Sequence, residues 1–278
     1  MTPFGTRLHA AMAERGRLCV GVDPHAALLR EWGLDDDVAG LERFALTTVE
    51  ALAPICAVLK PQSAFFERFG SRGVAVLERV VLEARAAGAL VLLDIKRGDI
   101  GSTSQAYADA YLDPASPLAC DAVTLSPYLG LGSLDPFVET ARRHGAGVFL
   151  LALTSNKEGA EVQHAVGADG LRVADRVLAH LSALNEGAEP LGSFGAVVGA
   201  TISAPVTGPA FDLDFGGPVL APGFGAQGGT VADLQRIFGS SSAHVLASSS
   251  RDVLRLGPDP VAMAEAVHGL HDQLAVLA

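Results

Sequence analysis

Short, nearly unbroken apolar runs punctuate this chain, and each is followed by a stretch with a different rhythm. Eight such runs occur: residues 18–23 (LCVGVD), 55–60 (ICAVLK), 89–96 (ALVLLDIK), 121–126 (DAVTLS), 147–153 (GVFLLAL), 195–201 (GAVVGAT), 218–223 (PVLAPG) and 244–249 (HVLASS). Runs of this length that lack polar alternation suit strands buried on both faces of a parallel sheet. Residues 41–53, 73–88 and 133–145 instead carry charges between apolar positions spaced three and four apart, the pattern of amphipathic helices. Strand and helix in alternation predict βα units, and eight of them predict a closed (β/α)₈ barrel. An open doubly wound sheet is the alternative, but six strands are commoner there and no second domain is patterned. The expectation is therefore one barrel domain over residues 1–278. Its sixth unit is irregular: residues 203–217 include Pro205, Pro209 and several glycines, so the helix there should be short or missing.

A barrel of this kind draws its catalytic groups from the carboxyl ends of several strands, which meet at one rim. Charged residues stand at three of the predicted ends: Asp23 after the first strand, Lys60 at the second, and Asp94 and Lys96 at the third, with Asp99 just beyond. Asp94 and Lys96 lie two apart on a strand, so their side chains should leave the same face, toward the barrel mouth. An ordinary ring of salt bridges closing the barrel is one explanation. A converging set of lysines and carboxylates is costly to desolvate, however, and such clusters tend to mark function.

Composition sharpens this picture. The net charge of −11 disfavours nucleic acid and anionic membrane surfaces as partners. Of 20 basic residues only three are lysines, at positions 60, 96 and 157, and two of the three fall at predicted strand ends. A lysine kept against an arginine bias suits a task that needs a compact ammonium able to give up a proton. Cys19, Cys56 and Cys120 lie far apart in apolar surroundings and read as buried thiols. The histidines are dispersed; only His268 and His271 come close, on a helix expected to face solvent, so no metal site is implied. The first residues contain scattered charges and no apolar stretch of signal-peptide length, and no later segment approaches a membrane span, which points to the cytoplasm.

After the seventh predicted strand comes a glycine-rich run, Pro222 to Gly229, and then Thr230 with Asp233 three positions on, the signature of a helix cap. Glycines allow backbone N–H groups to approach an anion, and many barrels bind phosphate after strands seven and eight. Arg251, after the eighth strand, supplies a cation suited to phosphate oxygens. Gly223, Gly225 and Gly228 also spell G-x-G-x-x-G, but a dinucleotide fingerprint belongs in the first βα turn.

The ordered fragments GVDPH, LKPQSAFFE, DIKRGDIGST, LSPYLG, TSN, VVGAT, APGFGAQGG and SSSR span nearly the whole chain, and together they resemble the orotidine 5′-phosphate decarboxylase family in one of its bacterial branches. The resemblance implies decarboxylation of orotidine 5′-phosphate to uridine 5′-phosphate without metal or organic cofactor. Carried over by position, Lys96 would stabilise and protonate C6, within a charged network completed by Asp94, Lys60 and Asp99. Asp23 and Lys60 would hold the ribose, Ser155 the base, and Gln227 and Arg251 the phosphate, with Pro222 and Gly228 in the same substrate-binding loop. It also implies a homodimer, in which Asp99, Ile100 and Thr103 complete the neighbouring site. Asn156 is followed by Lys157 where the family pattern has proline. Three other readings share these residues: a magnesium-dependent phosphosugar decarboxylase or lyase of the same barrel superfamily, a Schiff-base aldolase using Lys96, and a barrel that binds a nucleotide phosphate without turning it over.

Overall fold

The computed structural model describes residues 1–202 and 210–277. Eight parallel strands close a barrel in chain order: β1 (Leu18–Val22), β2 (Val58–Pro61), β3 (Leu90–Arg97), β4 (Ala122–Leu125), β5 (Gly147–Leu153), β6 (Phe194–Val198), β7 (Val219–Pro222) and β8 (Val245–Ser249), with β8 pairing back onto β1. The (β/α)₈ reading therefore holds, and the open-sheet alternative does not. Most predicted strands match to within a residue or two, and β5 matches at both ends. The second apolar run misleads at its start, because residues 53–55 form a turn and Cys56 is buried before the strand begins. Burial shows as an apolar run whether or not the backbone pairs in the sheet.

A first helix, α1 (Phe4–Arg15), precedes the barrel, and α2 (Val38–Leu52), α3 (Gly70–Ala86), α4 (Gly101–Leu112), α5 (Asp135–His144), α6 (Val173–Asn185), α7 (Val231–Phe238) and α8 (Pro260–Leu274) wrap it. Between β6 and β7 no helix occurs among the described residues; the predicted irregularity at Pro205 and Pro209 itself lies outside them. Asn185, buried at the end of α6, stitches part of this connection to the sheet. Its amide Nδ2 donates to the carbonyls of Phe194 at 2.8 Å and Phe215 at 3.2 Å, and its Oδ1 accepts from Phe194 N at 3.1 Å. No helix among the described residues is long and apolar enough to cross a membrane.

The barrel interior has an apolar floor made of one residue from each strand: Cys19, Val58, Leu92, Ala122, Phe149, Val197, Leu220 and Leu246. Phe4, Leu8 and Met12 of α1 close it from below, one per turn of that helix. The Phe4 ring meets Phe149 edge-on, with centroids 6.0 Å apart. Gly147 makes this possible, since a Cβ there would lie 2.3 Å from the Phe4 ring. The three cysteines are buried free thiols, and burial is the main cause that pushes Cys19 and Cys120 up to about 12. Phe149→Ala should lower the unfolding free energy by about 3–5 kcal/mol through lost contacts and a residual cavity. Urea denaturation of both proteins measures this, and a loss below about 1 kcal/mol would contradict the place of Phe149 in the floor.

Candidate active site

Two residues beyond the floor, toward the carboxyl ends of the strands, four of the eight positions are polar. Lys60 follows Val58, Asp94 follows Leu92, Thr124 follows Ala122 and Ser248 follows Leu246, all in the period-two phase of a strand. These four line a cavity of about 430 Å³ at the barrel mouth, within the usual range of small-molecule sites. Charge is thus placed directly above a low-dielectric layer, where each interaction is stronger and each unpaired group more costly.

Asp94 is the centre of this layer and is only 5% exposed. Four donors reach its carboxylate: Lys60 Nζ at 3.2 Å and Gln62 Nε2 at 2.9 Å to Oδ2, and Lys96 Nζ at 2.6 Å and Thr124 Oγ1 at 2.7 Å to Oδ1. Burial works to raise the Asp94 pKa, but the charges of Lys60 and Lys96 and the hydrogen bonds outweigh it and hold the carboxyl well below the usual range. For Lys60 burial works to lower the pKa, and Asp94 followed by Asp23 outweighs it, so the ammonium sits above the ordinary lysine value. The pair therefore stays ionised through neutral pH.

Lys96 reaches the mouth by a different route from the regular strand alternation expected of it. Its φ is +46°, in the left-handed region, and it is the one such non-glycine residue in the described chain. Pairing of β3 with β4 jumps from Leu93 opposite Val123 to Arg97 opposite Leu125, so β3 carries two more residues than β4 across this stretch. Such bulges re-aim side chains, and they recur beside active sites. Here the backbone N–H of Lys96 donates to Thr124 Oγ1 at 3.1 Å. The Lys96 side chain is 46% exposed, while the carboxylate it grips is buried.

Around the rim, Asp23, Ser155, Pro222, Gln227 and Arg251 line the same cavity. Asp23 Oδ1 is buried and accepts no hydrogen bond among the described residues. Gly21 allows the close approach of strand one to its neighbours here, because a Cβ would lie 2.0 Å from Ser250 Oγ and 2.7 Å from Asp23 Oδ2. Lys157 is exposed in the loop after β5 and does not line the cavity.

The glycine-rich run folds differently from the cradle of free amides expected of it. The N–H groups of Gly225, Gly228 and Gly229 donate within the loop, to the carbonyls of Gly229 at 2.9 Å, Gly225 at 2.7 Å and Gly223 at 2.9 Å. That of Ala226 donates to Asp252 Oδ2 at 2.7 Å. Gly228 accordingly supports the turn and does not line the cavity. The predicted cap is present: Thr230 and Asp233 exchange hydrogen bonds at the start of α7. Four amides of the run are thus taken up within the structure, and Gln227 and Arg251 bring side-chain donors to the rim.

Asp99, Ile100 and Thr103 do not join this cavity. Gly98 passes so close to Ser126 that a Cβ would lie 2.5 Å from its carbonyl oxygen, and among the described residues Asp99 beyond it accepts only from its neighbour Ile100 N, at 2.8 Å. Ile100 is 62% exposed, and Tyr128 and Leu129, in the loop after β4, are 78% and 53% exposed.

Gln62 and Thr124, which bind the Asp94 carboxylate, carry no charge that would mark them at a strand end, and His25, Phe65, Asn156 and Ser250 also line the cavity. Thr124 was within reach of the sequence, because it stands two residues beyond an apolar floor position on its strand. Asp252 was not, since only the folded loop brings it to Ala226.

Residues 16–267 match the family described as the orotidine 5′-phosphate decarboxylase / HUMPS family. An orotidine 5′-phosphate decarboxylase of Nocardioides sp. is 70% identical over 99% of both chains. One from Streptomyces coelicolor is 65% identical over 96% of this chain and 95% of the relative. A solved Streptomyces avermitilis chain assigned to the same activity superposes with a TM-score of 0.96 at 62% identity, covering 100% of this chain and 96% of the other. With a family match over most of its length and relatives of this identity, the chain belongs to the orotidine 5′-phosphate decarboxylase / HUMPS family.

Proposed function

We propose that this chain converts orotidine 5′-phosphate to uridine 5′-phosphate and carbon dioxide in the cytoplasm, with Lys96 as the proton donor. The observation that carries the reading is Lys96 Nζ held 2.6 Å from Asp94 at the cavity mouth, next to a second, buried lysine–carboxylate contact. Loss of carbon dioxide breaks the bond from C6 to the carboxylate and leaves its electron pair on C6. An ammonium fixed beside that carbon stabilises the charge as it develops and then delivers the proton that forms the new C–H bond. Neutral Lys96 regains a proton from water, and the protein ends unchanged.

Asp94 acts mainly by aiming Lys96 in this scheme. With four donors on its two oxygens its charge is largely compensated, which leaves little for repelling a substrate carboxylate. The unpartnered Asp23 Oδ1 suits a ribose hydroxyl, with Lys60 beside it, while Ser155 faces the base. Arg251, Gln227 and Pro222 lie toward the phosphate, with Gly228 holding the turn behind them. Binding energy from that remote group can be used at C6. A magnesium-dependent reaction would want an acidic ligand at the end of β2, where this chain places the Lys60 ammonium instead.

The exposed Ile100, Tyr128 and Leu129 support a second copy of the chain as the cover of this edge. In that homodimer Asp99 and Thr103 reach the neighbouring cavity.

Purified protein with orotidine 5′-phosphate in EDTA should show the ultraviolet change of decarboxylation, and no change under those conditions would overturn the assignment. Lys96→Ala should lower kcat by about a thousandfold or more, because a contact made in the transition state is removed. Arg251→Ala should raise KM by about 10- to 100-fold, the worth of a charge-assisted phosphate contact. Mixing Lys96→Ala protomers with Asp99→Asn protomers tests the shared site. Random pairing should restore about a quarter of wild-type activity, since half the dimers then carry one intact site. No recovery, with subunit exchange shown by a size tag, would remove Asp99 from the partner's site.

A further inference from the structure

We infer that Thr124 is the positioning residue that aims Lys96, through a hydroxyl shared between the Asp94 carboxylate and the Lys96 backbone. This rests on the reading of Lys96 as proton donor and goes beyond it by naming what fixes the ammonium in place. Thr124 is 1% exposed on β4, in the polar layer directly above the apolar floor. A backbone N–H can only donate, so the 3.1 Å contact from Lys96 N fixes Thr124 Oγ1 as its acceptor. The hydroxyl proton is thereby directed to Asp94 Oδ1, 2.7 Å away. Lys96 Nζ meets that same oxygen at 2.6 Å.

A closed ring results: Thr124 hydroxyl, Asp94 oxygen, Lys96 ammonium, Lys96 side chain and Lys96 amide. The lysine is held at both ends. Its backbone is also the one non-glycine backbone in the left-handed region among the described residues, at φ +46° within the β3 bulge. A left-handed lysine is strained relative to ordinary strand backbone, so something must hold it there. The Thr124 hydroxyl is the group that accepts the amide N–H in place of a strand carbonyl. Valine at this position keeps the shape and removes the acceptor. The bulge is then free to relax, and Nζ moves with it. Displacement on the order of 1 Å at a reacting group is enough to cost about a hundredfold in rate. The proposed substrate contacts of Asp23, Ser155, Gln227 and Arg251 are left in place, so the damage should fall on kcat.

Thr124→Val is therefore expected to lower kcat by about 10- to 100-fold with KM within about threefold of wild type, and Thr124→Ser to recover most of the lost rate. The double variant Thr124→Val with Lys96→Ala should be no slower than Lys96→Ala alone, because Thr124 acts through the lysine. A Thr124→Val enzyme within about twofold of wild-type kcat would overturn the inference. So would a Thr124→Ser enzyme as slow as the valine variant, or losses that multiply in the double variant. Retention of wild-type kcat by Lys96→Ala would overturn the reading of Lys96 itself and this inference with it, a result distinct from those three. Should the valine variant fail to fold, Thr124→Ala against Thr124→Ser gives the same comparison, with thermal melting to show that both are folded.

Discussion

The Asp94 carboxylate is the constraint on which the barrel mouth depends. It is buried above an apolar floor, where a lone ionised carboxylate would be prohibitively expensive, and four donors from three strands and their exits make it tolerable. Each donor is in turn located by the carboxylate. Lys60 is kept charged in a buried position, Gln62 is drawn to the β2–β3 seam, Thr124 is oriented, and Lys96 is held across a bulge. Removal of the carboxylate would leave two ammonium groups facing each other above Phe149 and Leu92. Structure and chemistry are therefore inseparable here.

The opposite end of the barrel solves the same electrostatic problem with other residues. Asp121, just before β4 and 3% exposed, is held by Arg7 of α1 and by Arg85 at 3.4 Å, and it accepts the Val91 N–H at 2.9 Å. Arginine suits that role, because a planar, permanently charged fork ties several elements together and never yields a proton. At the mouth both charged partners of the buried carboxylate are lysines. The two ends thus differ in their cations: guanidinium groups fasten Asp121, and the two lysines hold Asp94 at the mouth.

How much of this could be read from the sequence follows from what generates each feature. Parallel strands buried on both faces announce themselves as apolar runs, so eight strands and their order were legible, as were Lys60, Asp94, Lys96 and Arg251 as residues of one rim. The start of β2 was not, since Cys56 is buried without pairing. The left-handed turn at Lys96 was not, because lysine carries no local signal for it and the cause lies on the neighbouring strand. The floor plug of α1 was visible only as apolar residues at 4, 8 and 12, whose target depends on the tertiary gap left by Gly147. Neutral donors to Asp94 escape any search for charge, although the strand period places Thr124 in the right layer.

The glycine-rich loop shows how such a gap can alter a chemical reading. Glycine content correctly announces unusual backbone, with φ of +98°, +79° and +95° at Gly223, Gly225 and Gly228. It does not say whether the amides point at a ligand or at one another. Here four of them are taken up internally, and Asp252 completes the arrangement by accepting from Ala226 N and from Ser249 Oγ at 3.1 Å. Gly225 is what admits that carboxylate, since a Cβ would lie 2.1 Å from Asp252 Oδ2. The loop is therefore shaped by its own hydrogen bonds, and the side chains of Gln227 and Arg251 stand exposed beside it. Side chains of that length lose rotamer freedom on binding, whereas a preformed amide nest would not. If Gln227 and Arg251 take the phosphate as proposed, that grip is coupled to ordering of the rim, whereas Lys96 is already tied to Asp94 beneath it.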